Sequence, residues 1–436
     1  MSDFQKFEFN PLIAKNIERA GFKAPTPIQR EAIPHALAGH DILGLAQTGT
    51  GKTAAFVLPT LQRLLTGGRS KMPNGAGGNP TQRTAAARAL VIAPTRELAE
   101  QINEVFVALG KDLKLRSVTI YGGASMNRQL GELRRGVDII VACPGRLLDH
   151  LQRKTVSLAA VETLVLDEAD QMFDMGFFPA IRQIVAQLPA ARQTLLFSAT
   201  MPDEIRKLAA QVLKNPVKVE LERGPVSTIS HALYPVAQEL KTALLLRLLQ
   251  DTGSAPILVF TKTKHKAKRV ADQLTRAGFS SASLQGNLSQ NKRDQAMSGF
   301  RSGKFQVLVA TDIAARGIDV NNISHIINYD IPATAETYIH RIGRTGRAEK
   351  TGEAYTLVTG EDKRIVRDIE KSLGRPIEKR MLADFDYKKG GATQVTIESA
   401  PPQNQKPPQA GENSRPKSAG KPRRKRFRGF GRNNAR

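Results

Sequence analysis

Two short runs of this chain carry residue types that could handle phosphate. Leu164-Val-Leu166 has the apolar, partly β-branched character of a buried strand, and Asp167 and Glu168 follow at its carboxyl edge. Adjacent acids there are costly to desolvate unless a cation meets them. An acid so placed can hold Mg²⁺, and its neighbour can orient or deprotonate a water. Alone, Asp167 to Asp170 could equally be a solvated acidic turn entering a helix. The second run is Gln47-Thr-Gly-Thr-Gly-Lys-Thr53, after the strand-like Asp41–Ala46 and before a helix running to about Leu65. Gly49 and Gly51 let backbone N–H groups wrap phosphates at the helix amino end. Lys52 can reach the β- and γ-phosphates, and Thr53 can offer its hydroxyl to Mg²⁺. Ala46 stands where such a loop normally has its first glycine.

Two further runs fit the same chemistry. In Phe22-Lys-Ala-Pro-Thr-Pro-Ile-Gln29, two prolines stiffen the backbone, and Gln29 presents a donor and an acceptor together, which suits the edge of adenine. The same run would also serve as an ordinary proline-bearing helix entry. Far downstream, His340-Arg-Ile-Gly-Arg-Thr-Gly-Arg347 presents Arg341, Arg344 and Arg347. A guanidinium brought onto a γ-phosphate from another domain stabilises the charge that develops in phosphoryl transfer.

These groups need a scaffold, and the hydrophobic pattern supplies one. Strand-like runs at 89–93, 118–121, 138–142, 164–166 and 194–197 alternate with helical stretches, as a parallel α/β sheet requires. Ligands of such sheets sit beyond the carboxyl ends of the strands. Pro94-Thr-Arg96, Gly122-Gly123, Cys143-Pro-Gly-Arg146, Asp167-Glu168 and Ser198-Ala-Thr200 all fall there. Arg96 and Arg146 on these criteria alone could be ordinary charges at helix starts. The alternation lapses near Leu221 and restarts with strands at 256–260, 307–310, 325–329 and 354–358. The expected division is residues 1–222, a linker at 223–231, a second α/β domain at 232–385 and a tail at 386–436. The second unit lacks a Gly-Lys-Thr run, so it cannot be an independent phosphate-loop site.

Composition narrows the partner. At 436 residues the chain exceeds one ordinary core. Cys143 is the single cysteine, which excludes an intramolecular disulfide and a cysteine-rich zinc site. No secretory leader or membrane-length apolar run is visible, so a cytoplasmic protein without a membrane partner is expected. The net charge of +25 calls for a polyanion. Residues 401–436 hold 11 Lys and Arg against one acid, Glu412. Their run Arg423-Arg-Lys-Arg-Phe-Arg-Gly-Phe-Gly-Arg432 interleaves cations with two aromatics, suited to phosphate contact and base stacking in a disordered RNA-binding tail. A basic tail that only aids solubility would share this composition.

Taken in order, Phe22 to Gln29, Ala46 to Thr53, Pro94 to Ala99, Cys143 to Arg146, Asp167-Glu-Ala-Asp170, Ser198 to Thr200, Thr311 to Asp319 and His340 to Arg347 resemble the motif set of the DEAD-box RNA helicases. The resemblance extends over both domains, and Asp174-Met-Gly-Phe177 is similar to the RhlE-type subgroup. It implies two tandem RecA-like domains with parallel sheets. It also implies ATP and Mg²⁺ as cofactors, RNA as partner with little sequence preference, and ATP-driven local duplex unwinding. By this resemblance Gln29 reads adenine with Phe22 and Phe4 beside the base, while Ala46, Gln47, Thr48, Gly49, Thr50, Gly51, Lys52 and Thr53 cradle the phosphates. Thr53 and Asp167 would hold Mg²⁺ and Glu168 would orient the hydrolytic water. Asp319 would meet the ribose, and Arg344 and Arg347 the γ-phosphate. Asp170, Ser198, Thr200 and His340 would couple hydrolysis to domain closure. Pro94, Thr95, Arg96, Gly123, Arg146 and Thr311 would lie along the RNA backbone.

Two positions depart from the family pattern. Cys143 stands where Thr is usual, and Gln285-Gly286 where His-Gly is common. An RNA clamp or annealing factor that uses ATP to time release would carry the same motifs. A DNA translocase would share the two-domain ATP site but not the family resemblance. A monomer is expected, with room for ribonucleoprotein partners.

Overall fold

The computed structural model describes residues 3–47, 49–67, 85–221, 229–253, 255–315, 323–345 and 352–388. Thr48, Asp319, Arg347 and the tail expected to bind RNA therefore lie outside the described residues. Two seven-stranded sheets dominate the described chain. The first is built from β1 (Ile42–Leu45), β2 (Ala89–Ile92), β3 (Ser117–Ile120), β4 (Ile139–Ala142), β5 (Thr163–Leu166), β6 (Gln193–Ser198) and β7 (Val217–Glu220). The second comprises β8 (Ile229–Pro235), β9 (Ile257–Phe260), β10 (Ser281–Leu284), β11 (Val307–Ala310), β12 (His325–Asn328), β13 (Gly352–Val358) and β14 (Glu378–Lys379).

Across the first sheet the strands run β3-β4-β2-β5-β6-β1-β7, and across the second β10-β11-β9-β12-β13-β8-β14. Numbered within each sheet, both orders are 3-4-2-5-6-1-7, so the chain repeats one topology. Every pairing within them is parallel. Parallel strands need crossover helices, and these cover both faces, which is why the central strands read as unbroken apolar runs. In the first sheet Ile42, Val91, Val141, Val165 and Phe197 bury one face and Leu43, Leu90, Ile140, Leu164 and Leu196 the other. Each such side chain contributes roughly 1.5–3 kcal/mol relative to exposure.

The expected two-domain α/β architecture is present. β8 begins at Ile229, inside the stretch expected to be linker, and the segment after the second sheet packs as far as Tyr387. Ser230 and His231 interrupt the apolar pattern of β8, so sequence alone disguises it. His231 is tolerated because its Nδ1 pairs with the Tyr338 hydroxyl at 3.0 Å.

β1 carries the phosphate loop, and its seat depends on one glycine. Gly44 lies beside Phe197 of β6, and a Cβ there would meet the Phe197 ring at 2.5 Å. That ring packs on Phe56, 5.6 Å away in the Lys52–Thr66 helix that follows the loop. Gly44→Ala is therefore expected to cost about 1–3 kcal/mol by overpacking. Urea unfolding of the variant should show a lower midpoint; an unshifted one would mean the Phe197 ring moves aside freely.

Candidate nucleotide and nucleic-acid site

The strand order sorts the candidate residues into two neighbouring groups. The adjacent strands β5, β6 and β1 end in Asp167-Glu168, Ser198-Ala-Thr200 and the phosphate loop. On the other half, β3, β4 and β2 end in Gly122-Gly123, the helix carrying Arg146, and Pro94-Thr-Arg96. One sheet edge thus offers a phosphate half and a basic half side by side.

In the phosphate half, Gly49 and Gly51 adopt φ of 86° and 94°, the left-handed region that a side chain resists. Gly51 is further required because a Cβ would stand 2.6 Å from Gln29 Nε2 and 2.7 Å from Thr26 Oγ1. The Lys52–Thr66 helix has no side-chain N-cap and no acid in its first turn, leaving its amino-terminal N–H groups available to an anion. Lys52 is buried, and its Nζ has no hydrogen-bond partner. Such an orphaned ammonium fits an incoming phosphate oxygen. Asp167 is 2% exposed. Burial pushes its carboxyl up to about 7; the Lys52 ammonium pulls it down and the Glu168 charge pushes it up. The desolvated Asp167 carboxylate and the half-buried Thr53 hydroxyl lie at the same sheet edge, and both are oxygen donors of the kind Mg²⁺ takes.

Glu168 is held at φ 53°, ψ 53°, left-handed for a non-glycine residue, at the start of the Ala169–Asp174 helix. That conformation costs about 1–2 kcal/mol and is kept where surrounding structure imposes it. Asp170 supplies much of that constraint. Its Oδ2 accepts from Ala199 N at 3.0 Å, Thr200 N at 2.9 Å and Thr200 Oγ1 at 3.2 Å. Its own N–H donates to Ser198 Oγ at 3.3 Å, and Ser198 Oγ donates to the Thr200 carbonyl at 2.8 Å. From the second sheet, His340 Nε2 comes to 3.9 Å of Asp170 Oδ2. The four expected coupling residues are in one place.

Of the three arginines, the two among the described residues are Arg341 and Arg344. Arg341 is buried, with both Asp312 oxygens at 2.6 and 2.8 Å, Asn328 Oδ1 at 3.0 Å and the Asp330 carbonyl at 2.7 Å. Its guanidinium also lies 4.9 Å from the Phe260 ring centroid. It is fully engaged as a brace. Arg344, also buried, lines a cleft together with Arg341, His340 and, from the first domain, Gln171.

At the adenine end the candidate groups pack against one another. Gln29 is buried, its Oε1 accepting from Thr26 N at 3.0 Å and its Nε2 donating to the Gly51 carbonyl at 3.0 Å. It links the proline-bearing turn directly to the phosphate loop. Phe4 is 3% exposed, edge-on to Phe7 and Phe22 at 6.0 and 6.1 Å. The half-buried Phe22 is the ring that remains accessible, with Phe4 supporting it from behind.

In the basic half, Gly123 sits at φ 80°, and a Cβ there would strike the Arg96 guanidinium at 2.4 Å. Arg96 is stacked over Tyr121 at 5.9 Å and donates to Gln290 across the domain boundary. Arg146 Nη1 donates to the Ala124 carbonyl at 3.0 Å. Pro94 is buried, and the Thr95 hydroxyl accepts from Leu98 N at 3.3 Å as a helix N-cap, so these two offer backbone rather than side chain. Thr311 is half-buried at the carboxyl end of β11. Cys143, at the N-cap of the Pro144–Gln152 helix, makes no capping bond, and burial pushes its thiol up to about 12. Gln285 folds onto its own loop, accepting from Asn287 N at 2.7 Å.

Sequence reasoning missed a second contact between the domains. Arg293 donates to Glu97 Oε1 through Nη2 at 2.6 Å and Nε at 3.0 Å, both side chains largely buried. The signal was present as Gln290 and Arg293, three residues apart and so on one face of a helix entry.

Residues 26–208 match the DEAD/DEAH box helicase family, and residues 240–349 the helicase conserved C-terminal domain. The chain is similar to the DEAD-box ATP-dependent RNA helicase CshA of Bacillus licheniformis, 42% identical over 397 residues, 91% of this chain and 78% of that protein. It is 41% identical over 397 residues to the same-named helicase of Bacillus subtilis, covering 91% of this chain and 77% of the relative. Among solved structures it is similar to S. cerevisiae Dbp5 bound to RNA and ADP BeF3, with a TM-score of 0.76 at 32% identity, covering 87% of this chain and 96% of that one.

The Asp167 environment predicts a pH dependence of known sign. Its folded pKa of about 7 lies above the ordinary 3.8, so between these values the folded state binds the extra proton. Stability of the ligand-free protein should fall as pH rises through that window. Asp167→Asn, neutral throughout, should melt higher than the parent at about pH 8, with the advantage shrinking at about pH 5. An offset equal at both pH values would show that Asp167 ionises without penalty.

Proposed function

The chain belongs to the DEAD-box ATP-dependent RNA helicases, and on that basis we propose how its residues divide the work. ATP is bound by the Gln47–Thr53 loop and Gln29, with Phe22 rather than Phe4 against the base. Thr53 and Asp167 would hold Mg²⁺, which neutralises phosphate charge when bound. Glu168 orients a water toward the γ-phosphorus, giving ADP and phosphate, while Arg344 and Arg347 offset the charge that develops. Asp319 meets the ribose. RNA, the molecule bound by the yeast relative in its solved structure, would lie along the basic half, on Arg96, Arg146, Gly123, the Pro94 and Thr95 backbone, and Thr311. Contacts to phosphate and sugar carry little sequence information and can distinguish RNA through its 2′-hydroxyl.

One observation supports coupling above the others. The second domain touches the first at both halves of the edge, His340 near Asp170 in the phosphate half and Arg293 on Glu97 in the basic half. A ligand that gains contacts only when the domains meet favours the closed form, and so each ligand strengthens the other. Closure around one strand would separate it locally from its complement, and phosphate release would reopen the cleft. Placement in the RhlE-type subgroup rests on Asp174–Phe177; the CshA relatives at 42% and 41% identity weigh against it. A monomeric, cytoplasmic protein is the accompanying proposal; among the described residues no helix is long and apolar enough to cross a membrane.

Steady-state ATP hydrolysis, measured alone, with single-stranded RNA and with DNA of the same sequence, tests this reading. Stimulation by RNA alone is expected, and equal stimulation by DNA would overturn the 2′-hydroxyl argument. Glu168→Gln should keep ATP and RNA binding while lowering turnover by about 10²-fold or more. Turnover at the parental rate would remove Glu168 from its role.

A further inference from the structure

Behind the basic half, a buried amide–imidazole pair joins groups that the contacts above do not link. Gln129, in the Met126–Arg134 helix, and His150, in the Pro144–Gln152 helix, are both buried, His150 at 0% exposure. Gln129 Oε1 accepts from Arg146 Nη1 at 3.3 Å and meets His150 Nε2 at 3.1 Å. Gln129 Nε2 donates to the Tyr121 carbonyl at 2.9 Å, where the chain enters Gly122-Gly123. His150 Nδ1 pairs with Thr155 Oγ1 at 2.8 Å.

Hydrogen-bond logic fixes the Gln129 amide. A guanidinium can only donate and a carbonyl only accept, so that amide has one possible orientation. Its oxygen then requires a proton on His150 Nε2. On the other side of the ring, Nδ1 faces the Thr155 hydroxyl, which also donates to the His150 carbonyl at 3.0 Å. Burial lowers the His150 pKa and the Arg146 charge lowers it further, favouring the neutral imidazole. The network thus joins the glycine turn after β3, the Met126–Arg134 helix and the Pro144–Gln152 helix that carries both Arg146 and His150. Arg146 Nε remains buried without a hydrogen-bond partner, 3.5 Å from Asp149, so the guanidinium keeps donor capacity for an anion.

We propose that Gln129 and His150 are positioning residues for RNA binding, a buried amide–imidazole pair that holds Arg146 and the Tyr121–Gly123 turn in one fixed relation before RNA arrives. This rests on the reading that Arg146 and the turn meet the RNA backbone. The gain is preorganisation: a free arginine side chain loses substantial rotamer freedom when it docks on phosphate, and a pre-oriented one loses little. Neither Gln129 nor His150 need touch RNA.

Two substitutions at His150 separate positioning from packing. His150→Gln can keep a donor near the Nε2 position, whereas His150→Asn can reach Thr155 but not Gln129. Full-length protein carrying each, together with Arg146→Ala, would be titrated with single-stranded RNA over a range of salt. RNA-stimulated ATPase and affinity for a fluorescent ATP analogue would be measured in parallel. His150→Asn should bind RNA about tenfold more weakly, with a salt slope shallower by about 0.7, the value for one lost phosphate contact on a single strand. It should raise the RNA concentration for half-stimulation while keeping kcat and nucleotide affinity. His150→Gln should lie near the parent. Parental RNA affinity and slope in His150→Asn would overturn the proposal if Arg146→Ala binds weakly. Equal weakening by Asn and Gln, or loss of nucleotide affinity with RNA affinity, would reduce His150 to packing. Parental binding by Arg146→Ala would overturn the phosphate contact itself and the positioning role with it.

Discussion

Lys52, Asp167 and Glu168 are buried at the carboxyl edge of one parallel sheet, and this desolvated charge cluster is the constraint on which the rest depends. Charges withdrawn from water are stable only when paired, and here the pairing is incomplete: Lys52 Nζ has no hydrogen-bond partner and the Asp167 carboxyl is pushed upward. Phosphates and a divalent cation are the groups that would complete it. The left-handed backbone at Glu168 belongs to the same economy, since local strain persists where the surrounding bonds over-determine it. Those bonds converge on Asp170, which ties the strand ends of β5 and β6 together through Ser198 and Thr200.

Parallel topology turns this cluster into a machine with two sides. Because every strand of the sheet points the same way, all its carboxyl-end loops share one edge, and strand order alone decides which loops are neighbours. The order β3-β4-β2-β5-β6-β1-β7 places phosphate-type loops on one half and basic loops on the other. The same order in the second sheet gives it an equivalent edge without a phosphate loop. It contributes His340 and Arg344 toward one half and Gln290 and Arg293 toward the other. The buried Gln129–His150 chain extends the principle inward, since a surface arginine is only as well placed as the groups behind it.

Much of this was legible in the amino-acid sequence. Apolar runs bounded by glycine, proline and acids located six strands of the first sheet and four of the second, because buried parallel strands must be apolar on both faces. β8 escaped because Ser230 and His231 break its pattern, and a buried histidine is acceptable only through its Tyr338 partner 107 residues away. Gly49, Gly51, Lys52, Asp167 and Glu168 were identifiable because backbone-wrapped phosphate chemistry admits few residue types at few spacings.

Tertiary structure decided what distance along the chain conceals. Phe4 and Phe22 look alike as aromatics near a glutamine, yet packing buries one and leaves the other half open. Arg341 and Arg344 share one motif and line one interdomain cleft, but a bidentate Asp312 and the Phe260 ring commit Arg341 to bracing. Glu97 and Arg293 lie 196 residues apart and meet only when both domains have folded. Local sequence determines which groups are present and which edge they reach, because strand direction and turn chemistry are local properties. Which of those groups is free to act is set by burial and by partners from distant segments, and those exist only in the folded chain.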